Sequence, residues 1–241
     1  MTDKEQIIVL HTIKHSDSGV VVQCLGRKRG REALYLRIAQ KNKIKLSDFH
    51  RLSILDIVTY SKGSYMPAIK EHTAAYRLES IRSDVYKSTV AIFLSELLLK
   101  GLHETEGESS LYDFILYSIN MLENMERGVA NFHLHFMVHL CRFMGIMPVN
   151  DYSGPESLFS LSAARFAEGS AREKQLSPFL SKEESGFLYR LMVTPASEIE
   201  RIECTGEMRS RFARQMLKYM SYHLGTNIEL KSLDILHEVF N

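Results

Sequence analysis

Cysteine is scarce in this chain, tryptophan is absent and proline occurs only five times. The cysteines, Cys24, Cys141 and Cys204, are odd in number and far apart, without the paired spacing of a disulfide framework or a thiolate metal site. They read as reduced, mostly buried thiols. No run approaches the ~20 uninterrupted apolar residues of a spanning helix, and the charged opening Met1-Thr2-Asp3-Lys4-Glu5 lacks the apolar stretch of a secretory signal. There is no GxxxxGKS/T phosphate loop, no GxSxG elbow and no HExxH pair. Acids such as Asp48 or Asp56 carry nothing that separates them from surface charges. The expectation is a cytoplasmic, non-enzymatic protein that needs no cofactor.

What the chain does have is local positive charge. Gly26-Arg27-Lys28-Arg29-Gly30-Arg31 sits between two apolar runs, and Arg37, Lys41, Lys43 and Lys45 follow, so that Arg27 to Lys45 hold eight cations and one acid, Glu32. Such a cluster attracts polyanions, of which nucleic-acid backbones are the commonest. The net charge of +1 hides an asymmetry. Residues 1–80 carry 14 Lys/Arg against 8 Asp/Glu, and residues 81–241 carry 16 against 21. The plainer account of the cluster is a solvated hairpin tip.

The first 80 residues read as five short strands. Gln6 to Thr12 and Val20 to Leu25 are β-branched runs about the turn His15 to Gly19, and the basic cluster is the next turn. Ala33 to Ala39 alternates, with Leu34, Leu36 and Ile38 on one face and Tyr35 and Arg37 on the other. Ser53 to Tyr60 is a fourth strand, and Tyr65 to Leu78 a fifth extended run bent at Pro67. Five strands in this length point to a small antiparallel barrel of the OB type, whose face binds nucleic acid through aromatic stacking and cationic phosphate contacts.

Residues 81–241 read as a helical domain. Ser83-Asp84 caps a helix ending at Gly101, and Ser109 or Ser110 opens another that ends at Gly128. A third spans Val129 to Met144. Residues 150–178 have weak periodicity and read as mostly loop with a short helix or hairpin. Ser181-Lys182-Glu183-Glu184 is a capping box, and a long last helix runs from Gly206 to Leu224. That helix places Arg209, Arg211, Arg214 and Lys218 beside Phe212, Met216 and Tyr219. The set fits either a basic groove with an apolar floor or a core helix with a solvated cationic face. His133, His135 and His139 offer an HxH and an i,i+4 pair that places two imidazoles on one helical face, but no further ligand stands at a fixed offset, so no metal site is assigned.

The chain resembles the RecO family of bacterial recombination mediators over nearly its whole length. The resemblance is carried by Ile7-Ile8-Val9-Leu10-His11-Thr12 leading to Ser16-Asp17-Ser18-Gly19-Val20-Val21-Val22, by Glu96-Leu97-Leu98-Leu99, by Phe143-Met144-Gly145 before Pro148, and by Tyr222-His223-Leu224-Gly225 with Leu230-Lys231-Ser232-Leu233. It implies an OB domain and a helical domain, binding of single- and double-stranded DNA, annealing of complementary strands, and loading of recombinase onto DNA coated by single-stranded-DNA-binding protein. The implied partners are DNA, a RecR-like protein and the tail of single-stranded-DNA-binding protein, at the nucleoid and with no membrane. Many members carry a four-cysteine zinc site after the position matching Pro148. Here residues 150–178 contain no Cys or His, so that site is excluded by ligand chemistry and the segment must be held by apolar contacts such as Leu158, Phe159, Leu161 and Phe166.

The expected DNA-binding residues are Arg27, Lys28, Arg29, Arg31, Tyr35, Arg37, Lys41, Lys43 and Lys45, with 27–31 a mobile basic turn and Tyr35 a stacking platform. The second basic set, Arg209, Arg211, Phe212, Arg214, Met216 and Lys218, takes more DNA or the acidic tail of the partner. The alternative is a protein-interaction adaptor whose barrel binds a protein and whose basic run serves solubility.

Overall fold

The computed structural model describes residues 2–38, 45–61, 63, 66–102, 108–167 and 178–240. It divides into two compact units, Met1–Asn124 and Met125–Asn241. Expected site residues Lys41 and Lys43 lie outside the described residues.

The first unit is built on a closed barrel in the order β1-β2-β3-β5-β4, with β4 pairing back onto β1. Its strands are β1 Thr2–Ser16, β2 Gly19–Gly26, β3 Gly30–Arg37, β4 Ile54–Tyr60 and β5 Ala68–Ala74. All pairings are antiparallel except the short parallel contact of β3 with β5, Tyr35 opposite Ala68 and Leu36 opposite Ile69. This is the OB-type arrangement. β1 is long enough to pair with two neighbours because irregularities between Val9 and His11 and between Lys14 and Ser16 let it curl. Period-two alternation fills the interior with Ile7, Val9, Val20, Val22, Cys24, Leu34, Leu36, Phe49, Leu55, Ile57 and Ile69.

Three helices complete this unit: α1 Glu79–Ser83, α2 Val85–Gly101 and α3 Ser109–Asn124. The Asp84 side chain caps α2 by accepting the Lys87 N–H at 2.9 Å. Phe93, Leu94, Leu97 and Leu98 of α2 are buried, and the helix packs on β1.

The second unit is helical: α4 Val129–Phe143, α5 Lys182–Val193, α6 Gly206–Leu224 and α7 Ser232–Phe240, with a two-stranded hairpin β6 Leu158–Ser160 and β7 Arg165–Ala167. Ser181 and Glu184 form both halves of the capping box, at 2.9 and 3.2 Å. The hairpin falls inside the 150–178 stretch. Leu158, Phe159, Leu161 and Phe166 are all buried there, with Phe159 against Phe166 at 5.1 Å and Tyr219 at 5.7 Å between ring centroids. These apolar contacts, with Asp151 accepting the Phe166 N–H at 2.9 Å, hold the described part of the region.

Candidate nucleic-acid interface

The basic turn is tied to β1. Glu5 lies on the inward phase of β1 with Ile7 and Val9, and its carboxylate accepts the backbone N–H groups of Lys28 at 2.6 Å and Arg29 at 3.0 Å through Oε1. Its other oxygen pairs with the Arg29 guanidinium at 2.7 Å. Arg29 also pairs with Asp3 at 3.2 Å and Glu32 at 3.1 Å. Successive backbone N–H groups around one carboxylate form an anion-binding nest, here filled by the chain's own side chain. Gly30 closes the turn at φ +70, a conformation glycine adopts without the steric cost of a Cβ. Glu5 and the turn it binds lie 23 and 24 residues apart in sequence, so the contact is set by strand pairing and not by the local sequence.

The other cations of the turn have partners in the same unit. Arg27 pairs with Asp113 of α3 at 2.8 Å and stands over the Tyr112 ring at 5.5 Å. Arg31 donates to the Leu99 carbonyl in the last turn of α2, where the helix end carries partial negative charge. The Lys28 ammonium donates to the Lys4 carbonyl at 3.1 Å and is exposed.

Three carboxylates, Asp3, Glu5 and Glu32, share the one Arg29 guanidinium. Burial pushes the Glu32 carboxyl up to about 7; Arg29 opposes the rise, and Glu5 and Asp3 add to it. The buried Cys24 thiol is raised too, by burial first and then by Glu32 and Glu5.

Tyr35 and Arg37 lie toward the other end of β3, roughly 17 and 23 Å along the strand from Gly30 at ~3.3 Å per residue. The strand register places Ile13, Val21 and Tyr35 in one row across β1, β2 and β3, with Gly19 opposite Arg37 beside it. Ile13 is exposed and Tyr35 half-buried. The Tyr35 ring lies over Gly19, where any Cβ would collide with it, and meets the His15 ring edge-on at 6.1 Å. Arg37 and Lys45 are exposed. The structure therefore separates Arg27, Arg29 and Arg31, held by partners in the same unit, from Tyr35 and Arg37 at the far end of β3.

In the second unit, Phe212 and Met216 are fully buried in the helical core, Phe212 against Phe187 at 4.9 Å, so they do not floor a groove. Arg209 donates to the carbonyls of Cys204 at 2.7 Å and Phe240 at 2.9 Å, tying down the end of α7. Arg211 pairs with Glu183 at 2.8 Å and Glu184 at 3.1 Å. Arg214 approaches Asp234 at 3.6 Å with both side chains well exposed, and Lys218 is exposed. Burial lowers the His133 and His135 imidazoles to about 3 and about 4, and His139 in the same direction. Neutral His135 and His139 rings donate to the carbonyls of Thr194 and Leu191 at the C-terminal end of α5, both at 3.2 Å. Among the described residues no cluster of three His, Cys, Asp or Glu side chains is placed to hold a metal.

Sequence reasoning missed Glu5, Tyr112 and Asp113. Glu5 left a readable signal, since a charge on the inward phase of an apolar strand requires a partner. Tyr112 and Asp113 left none, because their meeting with Arg27 depends on how α3 packs.

Comparison with known proteins bears on the whole chain. Residues 82–234 match the family model described as recombination protein O, C terminal. A DNA repair protein RecO of Phocaeicola vulgatus is 30% identical over 244 aligned residues, covering 100% of both chains. Proteins of the same name from Azobacteroides pseudotrichonymphae and Bacteroides fragilis are each 29% identical, again over 100% of both chains. With a family model covering more than half of its length and full-length relatives at this identity, the chain belongs to the RecO family.

Proposed function

We propose that this protein acts in DNA repair by homologous recombination, binding DNA strands without reading their sequence, annealing complementary single strands, and helping to load recombinase onto DNA coated by single-stranded-DNA-binding protein. The observation that carries this reading is the full-length likeness to proteins named DNA repair protein RecO. The barrel face supports it: Tyr35 offers an aromatic ring for bases, Ile13 and Val21 extend its row, and Arg37 follows two residues along β3 as a cation for phosphates.

Annealing makes and breaks no covalent bond. Holding two strands close while their phosphates are neutralised is sufficient, and affinity then falls as salt rises. The expected partners are single- and double-stranded DNA, a RecR-like protein and the tail of single-stranded-DNA-binding protein. Arg214 and Lys218, still solvent-facing, are the members of the second basic set open to such an acidic tail.

The test is fluorescence anisotropy with labelled single-stranded DNA across a salt series, followed by annealing of complementary oligonucleotides with and without single-stranded-DNA-binding protein. Binding with a steep negative salt slope, weakened by Tyr35→Ala and Arg37→Ala, is the expected result. Absence of binding by the wild-type chain at low salt would sink the proposal. It would favour an adaptor whose barrel binds protein, a reading to which the internal engagement of Arg27, Arg29 and Arg31 lends weight.

A further inference from the structure

The arginines of the barrel unit are of two kinds. Arg27, Arg29 and Arg31 are held by Asp113, by Glu5 with its neighbours, and by the α2 terminus. Arg77 and Arg82 are exposed and have no ion pair or hydrogen bond among the described residues. Both border a cavity of about 470 Å³ whose wall also includes His50, Ser53, His72 and Tyr76. That volume falls within the roughly 300–1,000 Å³ of small-ligand sites.

Several features of the wall point to a ligand. Tyr76 is 42% exposed, leaving an aromatic face open to solvent. The His72 ring is fixed by Asp48 Oδ2 at 2.9 Å and by the Phe49 ring at 4.8 Å. Between His50 and Ser53 the chain passes through Leu52 at φ +62, a left-handed conformation uncommon for a branched residue and kept only where its surroundings enforce it. The Leu52 N–H donates to the Val9 carbonyl at 2.7 Å and holds it there. Of the two carboxylates on the wall, Asp48 is engaged with His72 and Glu79 lies in the first turn of α1. The wall draws on β4 and β5, whereas the Tyr35 row draws on β1, β2 and β3.

We infer that this cavity is a second strand site: it takes one unstacked nucleotide of a single DNA strand, its base against Tyr76 and its flanking phosphates on Arg77 and Arg82. The inference rests on the DNA-binding reading above and adds a place for the second strand on a different wall of the same barrel. Two strands on two walls is an arrangement suited to annealing.

The experiment compares the full-length wild-type chain with the double variant Arg77→Gln/Arg82→Gln, using a labelled thymidine oligonucleotide in a salt series. Loss of two phosphate contacts makes the log–log salt slope less negative by about 1.4, at about 0.7 per single-strand contact, equivalent to about 25-fold weaker binding at ~0.1 M salt. An unchanged slope, with the wild type binding in the same series, overturns the site and leaves the DNA-binding reading standing. A wild type that does not bind at low salt removes both. Because a substitution can disturb folding, the wild-type chain is also photocrosslinked to a 5-iodouracil oligonucleotide. Recovery of the peptide containing Tyr76 supports the site, and crosslinks confined to peptides from β1 to β3 overturn it. Thymidine monophosphate displacing the oligonucleotide at equal affinity would overturn the strand in favour of a free nucleotide.

Discussion

Glu32 shows how a single residue can carry a signature of its surroundings. Its carboxyl is held near 7 in the folded barrel, first by burial and then by Glu5 and Asp3, against an ordinary value of 4.5. Below about pH 4.5 it is protonated in both folded and unfolded chains, and above about pH 7 it is ionised in both. Between those limits the folded state binds more protons, so the contribution of Glu32 to stability falls as pH rises, by up to about 3 kcal/mol. The buried His133 and His135 act in the opposite sense over part of this window, because their folded values are lowered and their stabilisation is lost on acidification. The Glu32 effect is therefore read as a difference. Relative to wild type, Glu32→Gln should gain stability progressively from pH 4.5 to 7 in urea titrations; a flat difference would mean that Glu32 titrates normally.

Among the elements, the β2–β3 turn is the one whose character changed most between sequence and structure. Its charges mark it as a DNA-binding loop, yet Glu5 receives two of its N–H groups and one of its guanidinium nitrogens. Glu5→Ala leaves two turn N–H groups without their acceptor while Asp3 and Glu32 still face Arg29, so it should lower stability by about 1–3 kcal/mol in urea unfolding, a loss too large for a solvated hairpin tip. By contrast, the strands themselves were legible. Alternation at Leu34, Leu36 and Ile38 and the β-branched runs at Ile7 to Val9 and Val20 to Val22 report burial of one face, a local property. The capping box at Ser181 and Glu184 and the Asp84 cap were legible for the same reason, since donor and acceptor lie within one turn. Helix α7, packed on α6 with Arg209 gripping its end, was not read as an element, because its nine residues follow a short loop and carry no strong cap.

At the scale of the whole molecule, the charge imbalance read at residue 80 softens once the units are known. The Met1–Asn124 unit carries 17 Lys/Arg against 15 Asp/Glu, and the Met125–Asn241 unit 13 against 14. The helices that join the barrel bring acids with them, Asp113 among them, and the barrel's cations use those acids. In the second unit the hairpin is anchored by Phe159 and Phe166, and by the Phe159 N–H donating to Ser185 Oγ at 2.9 Å. Prolonged exposure to a chelator should leave the melting temperature of the full chain unchanged. A drop would reveal a metal site made from ligands outside the 150–178 segment. Phe159→Ala, in contrast, should lower stability by about 3–5 kcal/mol through loss of a fully buried ring.

The sequence by itself determined the architecture and the family: the alternation of five strands, the three- and four-residue apolar spacing of the long helices, and the absence of Cys and His from residues 150–178 are local facts of composition and period. Only the tertiary structure decided which cations remain available to a ligand. Arg29 lies in a strongly basic run and Arg77 in a stretch where Lys70, Arg77 and Arg82 are matched by Glu71, Glu79 and Asp84, yet it is Arg29 that is committed to carboxylates. A guanidinium's availability depends on the carboxylates and carbonyls that distant segments bring within about 3 Å, and at that distance a committed pair and a free charge differ in everything except their letters.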